Sequence, residues 1–212
     1  MVQVILNALG TVDIVPLTGV TFPDSLKKIG AGAFEGAGLT EVKLAHVVSV
    51  GENAFFGCTA LETLTFAAGC AADIGDTAFM DCTALKSVTI PGTIKTVSAG
   101  TFFACTALES VVIEEGVELI GSQAFQNCTK LASLSLPASV ASIGSYAFSG
   151  SDALYAGAAT APAGSVAAEY IKNLNALGEL TRWNIMLVNK SVDRTSIVKY
   201  TDEIEILSID EC

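Results

Sequence analysis

Cysteine thiolates bind zinc and form disulfides, so the regularly spaced cysteines are the first residues of this chain to weigh for chemistry. Four of them lie three residues after a recurring phenylalanine: Cys58, Cys82, Cys105 and Cys128. Their spacings of 24, 23 and 23 residues do not resemble a zinc site, where paired ligands are about two to four residues apart. The units before and after carry Ala37 and Ser151 at the same place. A small buried residue suits all of these units, so the sequence predicts a structural thiol ladder.

Few other residues have the types and spacing that catalysis needs. The single histidine, His46, has no acid, nucleophile or second metal ligand beside it in the sequence. Asp73, Asp76 and Asp81 lie in one unit, but their spacing matches no calcium-binding loop. The chain contains neither a phosphate-binding loop nor a dinucleotide-binding glycine motif. We therefore expect a protein that is not an enzyme and that uses no metal and no cofactor.

The composition narrows the range of partners. The 212-residue chain has a net charge of −11 and is 51% apolar, which favours a large core over disorder. Nucleic acids and anionic membrane surfaces bind basic proteins, so neither is an expected partner. No apolar run approaches the roughly 18 residues that span a bilayer, so membrane insertion is not expected. The first residues lack a charged segment followed by a long apolar run, so no secretory signal is predicted.

The elements that position these residues come from an internal repeat. The motif Ala-Phe-x-x-Cys-x-x-Leu-x-x-Val-x-Ile-Pro recurs with a period of 21 to 24 residues. Its phenylalanines are Phe34, Phe55, Phe79, Phe102, Phe125 and Phe148. A fixed period of this length is typical of a solenoid, in which stacked units share one continuous core. The sequence therefore predicts a single α/β repeat array.

One unit illustrates how each repeat folds. Val88 and Ile90 alternate with polar residues, which predicts a short strand with one buried face. Pro91 and Gly92 then end the strand and turn the chain. The segment around each repeat phenylalanine is expected to return the chain as a short helical or irregular piece. Five units have a glycine just before this segment, whereas this unit has Ser98.

The repeat boundaries divide the chain into three parts. Residues 1–16 are predicted to be an N-terminal cap, and residues 17–155 an array of about six units, of which the first and last are partial. Leu17, Val20 and Phe22 show the strand signature at the start of the array. Residues 156–212 form the third part, in which Ser165 is predicted to cap a short helix. Residues 179–212 read as strands of either a C-terminal cap or a small appended module.

The solvent-facing strand positions form a column that we expect to be the binding surface. A rigid row of hydroxyl groups suits a polar ligand, a glycan or an extended peptide. The simpler interpretation is that serine and threonine are good solvated strand residues. The column consists of Glu41, Lys43, Thr63, Thr65, Ser87, Thr89, Ser110, Val112, Ser133 and Ser135.

A second candidate surface consists of Phe56, Met80 and Phe103, each directly after a repeat phenylalanine. We call these three residues the apolar stripe. If their side chains are exposed, they form a contiguous patch of the kind that marks an interface. The alternative is that they fold back onto the neighbouring repeat. Both interpretations remain open from the sequence.

The repeat motif, with its Leu-x-x-Val-x-Ile-Pro strand, Ile-Gly turn and Ala-Phe-x-x-Cys return, resembles the BspA-like leucine-rich repeats of bacterial surface proteins. The resemblance covers roughly residues 17–155. It implies a curved solenoid with short strands on the concave face and terminal caps, located outside the cell or on its surface.

The resemblance also implies protein binding or adhesion, and we expect a non-catalytic recognition scaffold with a protein partner. The first alternative is self-assembly into a homo-oligomer through the apolar stripe or the tail strands. Glycan binding by the concave serine and threonine hydroxyls is a lesser alternative.

Overall fold

A computed structural model describes residues 2–6, 12–67, 70, 73–156 and 158–175, and every structural statement below refers to these residues. Short strands make up most of the regular structure, with little helix. The strands are β1 (Val2–Leu6), β2 (Val12–Pro16), β3 (Lys28–Ile29), β4 (Glu41–Leu44), β5 (Ser49–Val50), β6 (Thr63–Phe66), β7 (Asp73–Ile74), β8 (Ser87–Ile90), β9 (Thr96–Val97), β10 (Ser110–Ile113), β11 (Leu119–Ile120), β12 (Ser133–Ser135), β13 (Ser142–Ile143) and β14 (Ala158–Thr160).

The array is a solenoid of parallel strands, as the repeat predicts. One side carries the longer strands, with β4 paired to β6 and with β8, β10, β12 and β14 in a second sheet. We call the exposed positions of these strands the concave face. A second side carries two-residue strands in the sheets β3-β5-β7 and β9-β11-β13, and we call its exposed positions the return face. Pairing is in register from coil to coil, so that Val88 lies opposite Val111 and Val111 opposite Leu134.

The core is a column of phenylalanine rings running the length of the array. Consecutive rings from Phe34 to Phe148 stack with centroid separations of 5.1–5.5 Å and interplanar angles of 3–8°. Leu61, Leu85, Leu108 and Leu131 are fully buried beside them. A single coil cannot bury its apolar side chains by itself. The apolar core therefore forms only when the coils stack on one another.

The segment around each phenylalanine is a series of turns rather than a helix. The residues two before and two after the phenylalanine have positive φ throughout, as in Asn53 (φ 55) and Gly57 (φ 67) around Phe55. In this segment every second backbone N–H donates to the next coil. Phe55 N, for example, donates to Ala78 O at 2.8 Å, and Gly57 N to Met80 O at 2.8 Å. These bonds form a third ladder, which we call the turn ladder.

The first unit of the array departs from the prediction. Residues 17–22 carry the strand signature but form no strand. Gly19 lies at the centre of this segment and has no side chain to pack, which weakens a strand. Phe22 still packs edge-on against Phe34, with ring centroids 5.6 Å apart. Before this unit, β1 and β2 pair as an antiparallel hairpin, while the assignment of residues 1–16 as a cap stays a prediction.

Structure also continues past the predicted end of the array at residue 155. The alanine-rich segment forms β14, which pairs with β12 in parallel and places Ala159 opposite Leu134. A 3₁₀ helix, Asp152–Ala156, precedes it. Residues 166–175 are helical, and the Ala168 N–H donates to Ser165 Oγ at 3.0 Å, which confirms the predicted helix cap. The strands predicted within residues 179–212 lie outside the described residues.

Candidate binding surface

The concave face has the alternation that the sequence predicts. In β8, Val88 and Ile90 are buried while Ser87 and Thr89 are exposed, and β4 shows the same pattern. Because the strands are in register, the predicted residues line up in two rows across neighbouring coils. Exposed members are Glu41, Lys43, Thr63, Thr65, Ser87, Thr89, Val112 and Ser133, and half-buried members are Ser110 and Ser135.

Charged residues on this face are paired with each other. Lys43 Nζ lies 2.9 Å from Glu41 Oε1 within β4. Lys86 Nζ lies 2.7 Å from Glu62 Oε2 on the neighbouring coil. The hydrogen bond from Lys86 lowers the pKa of the Glu62 carboxyl, and the same bond raises the pKa of Lys86. Both groups are solvent-exposed, so the pair orients side chains more than it stabilises the fold.

Both sheets are interrupted at the same level of the array. No backbone hydrogen bond between described residues joins β6 to β8, and none joins β7 to β9. The turn ladder is intact there, with Phe79 N donating to Thr101 O at 2.9 Å. The two halves of the array therefore share backbone hydrogen bonds on the turn side and none along either strand side.

Two sequence features distinguish the coil at this level of the array. The coil that begins at Phe55 has one extra residue, with 24 residues to Phe79 where the next units have 23. Its strand β6 also ends in Phe66, which is half-buried, while the corresponding Ile90 is fully buried. The preceding unit is 21 residues long and still pairs with this coil through β4–β6 and β5–β7, so the length of a unit does not by itself decide whether its strands pair.

Side-chain hydroxyls replace the missing backbone bonds on the return side. Ser98 Oγ donates to Ile74 O at 2.5 Å, and Thr93 Oγ1 donates to Cys70 O. Four other coils have glycine at the place of Ser98 where the preceding coil is too close for a side chain, namely at Gly51, Gly75, Gly121 and Gly144. A Cβ on Gly121 would lie 2.7 Å from Ala99 N. The serine fits only where the coils separate.

On the concave side the same separation leaves an open cavity of about 500 Å³. Its floor and walls are formed by β6 and β8. The lining residues are Glu62, Thr63, Leu64, Thr65, Phe66, Ala67, Ser87, Val88, Thr89, Pro91 and Glu114. Four of the predicted concave residues thus surround one cavity, and sequence reasoning missed it because the missing strand pairing has no local signature.

The apolar stripe is neither buried nor exposed. Phe56, Met80 and Phe103 each have intermediate exposure, and they lie on the turn side, where the Gly57 N–H donates to Met80 O at 2.8 Å. The interface hypothesis for these residues stays a prediction.

The thiols of the four repeat cysteines are buried and free. Each donates to the carbonyl oxygen of a phenylalanine in the preceding coil, as Cys105 Sγ does to Phe79 O at 3.3 Å. In the last unit Ser151 Oγ makes the same bond to Phe125 O at 3.1 Å. Ala37 belongs to the first coil with a turn segment, so a donor there would have no preceding phenylalanine to bond.

Burial makes these thiols poor nucleophiles. It raises the pKa of Cys58 to about 11 and that of Cys128 to about 12, and it also raises the pKa values of Cys82 and Cys105. A thiolate is the reactive and metal-binding form of cysteine. The column therefore has a structural role, and its members are Cys58, Cys82, Cys105 and Cys128. Cys212 lies outside the described residues.

The remaining polar candidates lie apart from one another. His46 is exposed, with Nε2 3.5 Å from Asp24 Oδ1. Asp73 lies in β7, whereas Asp81 lies in the turn segment and Asp76 Oδ1 accepts from Ala99 N at 3.1 Å. Among the described residues no group of three His, Cys, Asp or Glu side chains is arranged to hold a metal ion. The described part of the chain also contains no helix with the length and apolarity to cross a membrane.

Two solved structures share this architecture. A leucine-rich repeat protein from Eubacterium ventriosum ATCC 27560 is 31% identical, with a TM-score of 0.56, and the match covers 63% of this chain and 36% of that one. A leucine-rich repeat protein from Bacteroides ovatus ATCC 8483 is 28% identical with a TM-score of 0.56, covering 63% and 40%. This chain therefore spans about two fifths or less of the length of those proteins. No curated protein matches it.

Stacked parallel strands, a phenylalanine column and a repeat of fixed period define a leucine-rich repeat solenoid. The model of the BspA type leucine rich repeat region matches in six copies over residues 13–98 and 49–156, which together cover more than half of the 212 residues. The chain belongs to the BspA-type leucine-rich repeat family.

Proposed function

We propose that the protein is a recognition scaffold that binds a protein partner on the concave face. The observation that carries this proposal is the exposed row of hydroxyls and ion pairs on in-register parallel strands. Such a sheet is rigid, so its groups bind without a large loss of conformational entropy. The fold class is used for binding in many proteins, although the fold itself does not identify the partner.

The cavity at β6 and β8 favours the concave face, rather than the return face, as the surface that binds the partner. A cavity of about 500 Å³ lies within the size range of natural ligand sites, roughly 300–1,000 Å³. Adhesion and a location at the cell surface belong to the same proposal and come from the family resemblance. The net charge of −11 favours a basic partner surface.

Selection from a displayed random-peptide library on the immobilised protein tests the proposal. Enriched peptides are then measured on Thr89→Lys/Ser133→Lys, which places two bulky charges on the concave face. The matched control is Thr96→Lys/Ser142→Lys, at exposed positions of β9 and β13 on the return face.

We expect the concave variant to lose binding and the return-face variant to keep it. Equal binding to both variants, or loss on the return-face variant alone, would contradict the proposal. If no peptide is enriched, and a soluble oligosaccharide binds the wild type but not Thr89→Lys/Ser133→Lys, then the partner is a glycan and not a protein.

A further inference from the structure

The edges of β6 and β8 face each other across the interruption without strand pairing. In a parallel sheet, successive residues direct their N–H and C=O groups to opposite neighbours. Ala67 N donates to the preceding coil, so Phe66 directs its backbone groups toward β8. Ile90 O accepts from the following coil, so Thr89 directs its backbone groups toward β6. Each edge therefore presents donors and acceptors that no strand among the described residues uses.

The three sides of the array are joined differently at this level. On the turn side the coils share backbone hydrogen bonds, and Phe55 N donates across at 2.8 Å. On the return side they share the hydroxyl bonds of Thr93 and Ser98. On the concave side, the polar contact between described residues is the exposed ion pair of Lys86 with Glu62. A backbone ladder resists opening more than an exposed ion pair does, so the concave side is the easiest to open.

The aromatic core at this level lies beside the turn ladder. Phe55 and Phe79 stack with ring centroids 5.1 Å apart and an interplanar angle of 3°. Both belong to turn segments, so a small rotation about the turn ladder leaves the two rings in contact. The half-buried Phe66, at the end of β6, is further along the coil. Rotation therefore changes the spacing of β6 and β8 more than it changes the aromatic stack.

We propose that the interruption is a hinge, held closed on the concave side by the Lys86–Glu62 ion pair. The part of the array up to β7 and the part from β8 onward rotate about the turn ladder, while each part keeps its own strand pairing. The cavity is lined by both β6 and β8, so its width follows the rotation. The inference goes beyond the proposed function, because it concerns the shape of the concave face and holds whatever the partner is.

Electron paramagnetic resonance on pairs of spin labels tests the hinge in the full chain. Lys43→Cys/Val112→Cys places labels on β4 and β10, which lie on opposite sides of the interruption. The matched control is Thr89→Cys/Thr160→Cys on β8 and β14, within one part. Both pairs are exposed and span three strand spacings, about 14 Å.

Both variants carry Cys212→Ser, so that the terminal thiol takes no label. The native thiols among the described residues are buried and react poorly with the label. Unchanged circular dichroism checks that each labelled protein is folded. We expect a broader distance distribution for the pair across the interruption than for the control pair. Equal widths would overturn the inference.

The ion pair is tested on the same labelled proteins. Glu62→Gln should shift the distances across the interruption to longer values, as should high salt, which screens exposed charges. The control is Glu118→Gln, which removes an exposed ion pair with Lys95 between two coils of the second part. It should leave both distributions unchanged. A Glu62→Gln distribution identical to that of the parent protein would overturn the inference.

Amide hydrogen exchange tests the unpaired edges in the unlabelled wild type. Thr89 and Val112 lie opposite each other in β8 and β10, and both side chains are exposed. Val112 directs its N–H to β8, since Glu114 two residues later donates to Ile90 O. We expect the protection factor of the Thr89 amide to be roughly fivefold to tenfold lower, the factor that corresponds to one backbone hydrogen bond. Equal protection would mean that β6 and β8 pair in solution, which would overturn the hinge.

Discussion

Ser98 Oγ donates a hydrogen bond to the carbonyl oxygen of Ile74, 2.5 Å away, at the level where the array has lost its strand-to-strand bonds. Four other coils place glycine at this position, and there the backbones approach too closely for a side chain. The serine therefore marks the separation of the two halves of the array and also holds them together on the return side.

The bond leads to a first prediction. Ser98→Ala removes the hydroxyl and leaves the Ile74 carbonyl without this donor, so the free energy of unfolding should fall by about 1–2 kcal/mol. Urea unfolding followed by circular dichroism measures the change. The control is Ser122→Ala, an exposed serine, for which we expect a change within about 0.5 kcal/mol. Equal effects of the two substitutions would show that the Ser98 hydrogen bond contributes nothing to the free energy of unfolding.

A second prediction concerns the glycines of the intact coils. In Gly121→Ala the added Cβ would lie 2.7 Å from Ala99 N, so the coils must separate. Overpacking of this kind costs about 1–3 kcal/mol. Ser98→Gly restores the residue of the other coils, but it removes the hydroxyl where no close approach requires glycine, so it should also destabilise the protein. If Ser98→Gly stabilised the protein, the serine would not be holding the separated coils together, which would contradict this account.

The thiol column predicts a loss of stability at high pH. Below the ordinary thiol pKa of 9.0 the cysteines are protonated in both states. Above it, the unfolded thiols ionise while burial keeps the folded thiols protonated, with Cys58 titrating only near pH 11. The unfolded state then binds fewer protons, so the free energy of unfolding falls with rising pH, by about 1.4 kcal/mol per pH unit for each such thiol.

Urea unfolding at a series of pH values from 7 to 10, a range of about three pH units, measures how the free energy of unfolding changes with pH. Cys105→Ser/Cys128→Ser provides the matched variant, since serine occupies the same position at Ser151 and bonds the preceding carbonyl. Its slope above the thiol pKa should be smaller. An identical slope in both proteins would assign the pH effect to other groups.

The turn segments predict a stabilising substitution. Ala104 has φ 55, a backbone conformation that costs a non-glycine residue roughly 1–2 kcal/mol. Ala104→Gly should therefore raise the free energy of unfolding by about 0.5–1 kcal/mol despite the greater freedom of glycine in the unfolded chain. Ala132→Gly, at an exposed position without positive φ, should lower it by a similar amount. A destabilised Ala104→Gly variant would contradict this account of the turn.

Self-assembly through the apolar stripe makes a distinct prediction. Light-scattering mass should rise with protein concentration, and Phe56→Ser/Phe103→Ser should return it to the mass of one chain while circular dichroism stays unchanged. Both side chains are half-buried, so thermal stability is measured alongside. A wild-type mass of one chain at every concentration would eliminate this use of the stripe.

Much of the fold follows from the sequence because buried and exposed residues alternate at a short, regular spacing within each unit. The pattern at Val88 and Ile90 specifies a strand with one buried face, and the recurring phenylalanine specifies the stack. The turn segment is harder to predict, since the left-handed residues lie four positions apart and types such as Gln123 and Asn127 do not require positive φ. The bonds of the turn ladder select that backbone, and they exist only after the coils stack.

The sequence by itself determined the repeat, the membership of the buried core and the place of the thiol column, because each depends on spacing within one unit. Only the tertiary structure decided which carbonyl each thiol bonds, where the sheets separate and which concave residues share a cavity. Those properties depend on contacts between residues more than 20 positions apart, such as Ser98 with Ile74 and Cys105 with Phe79.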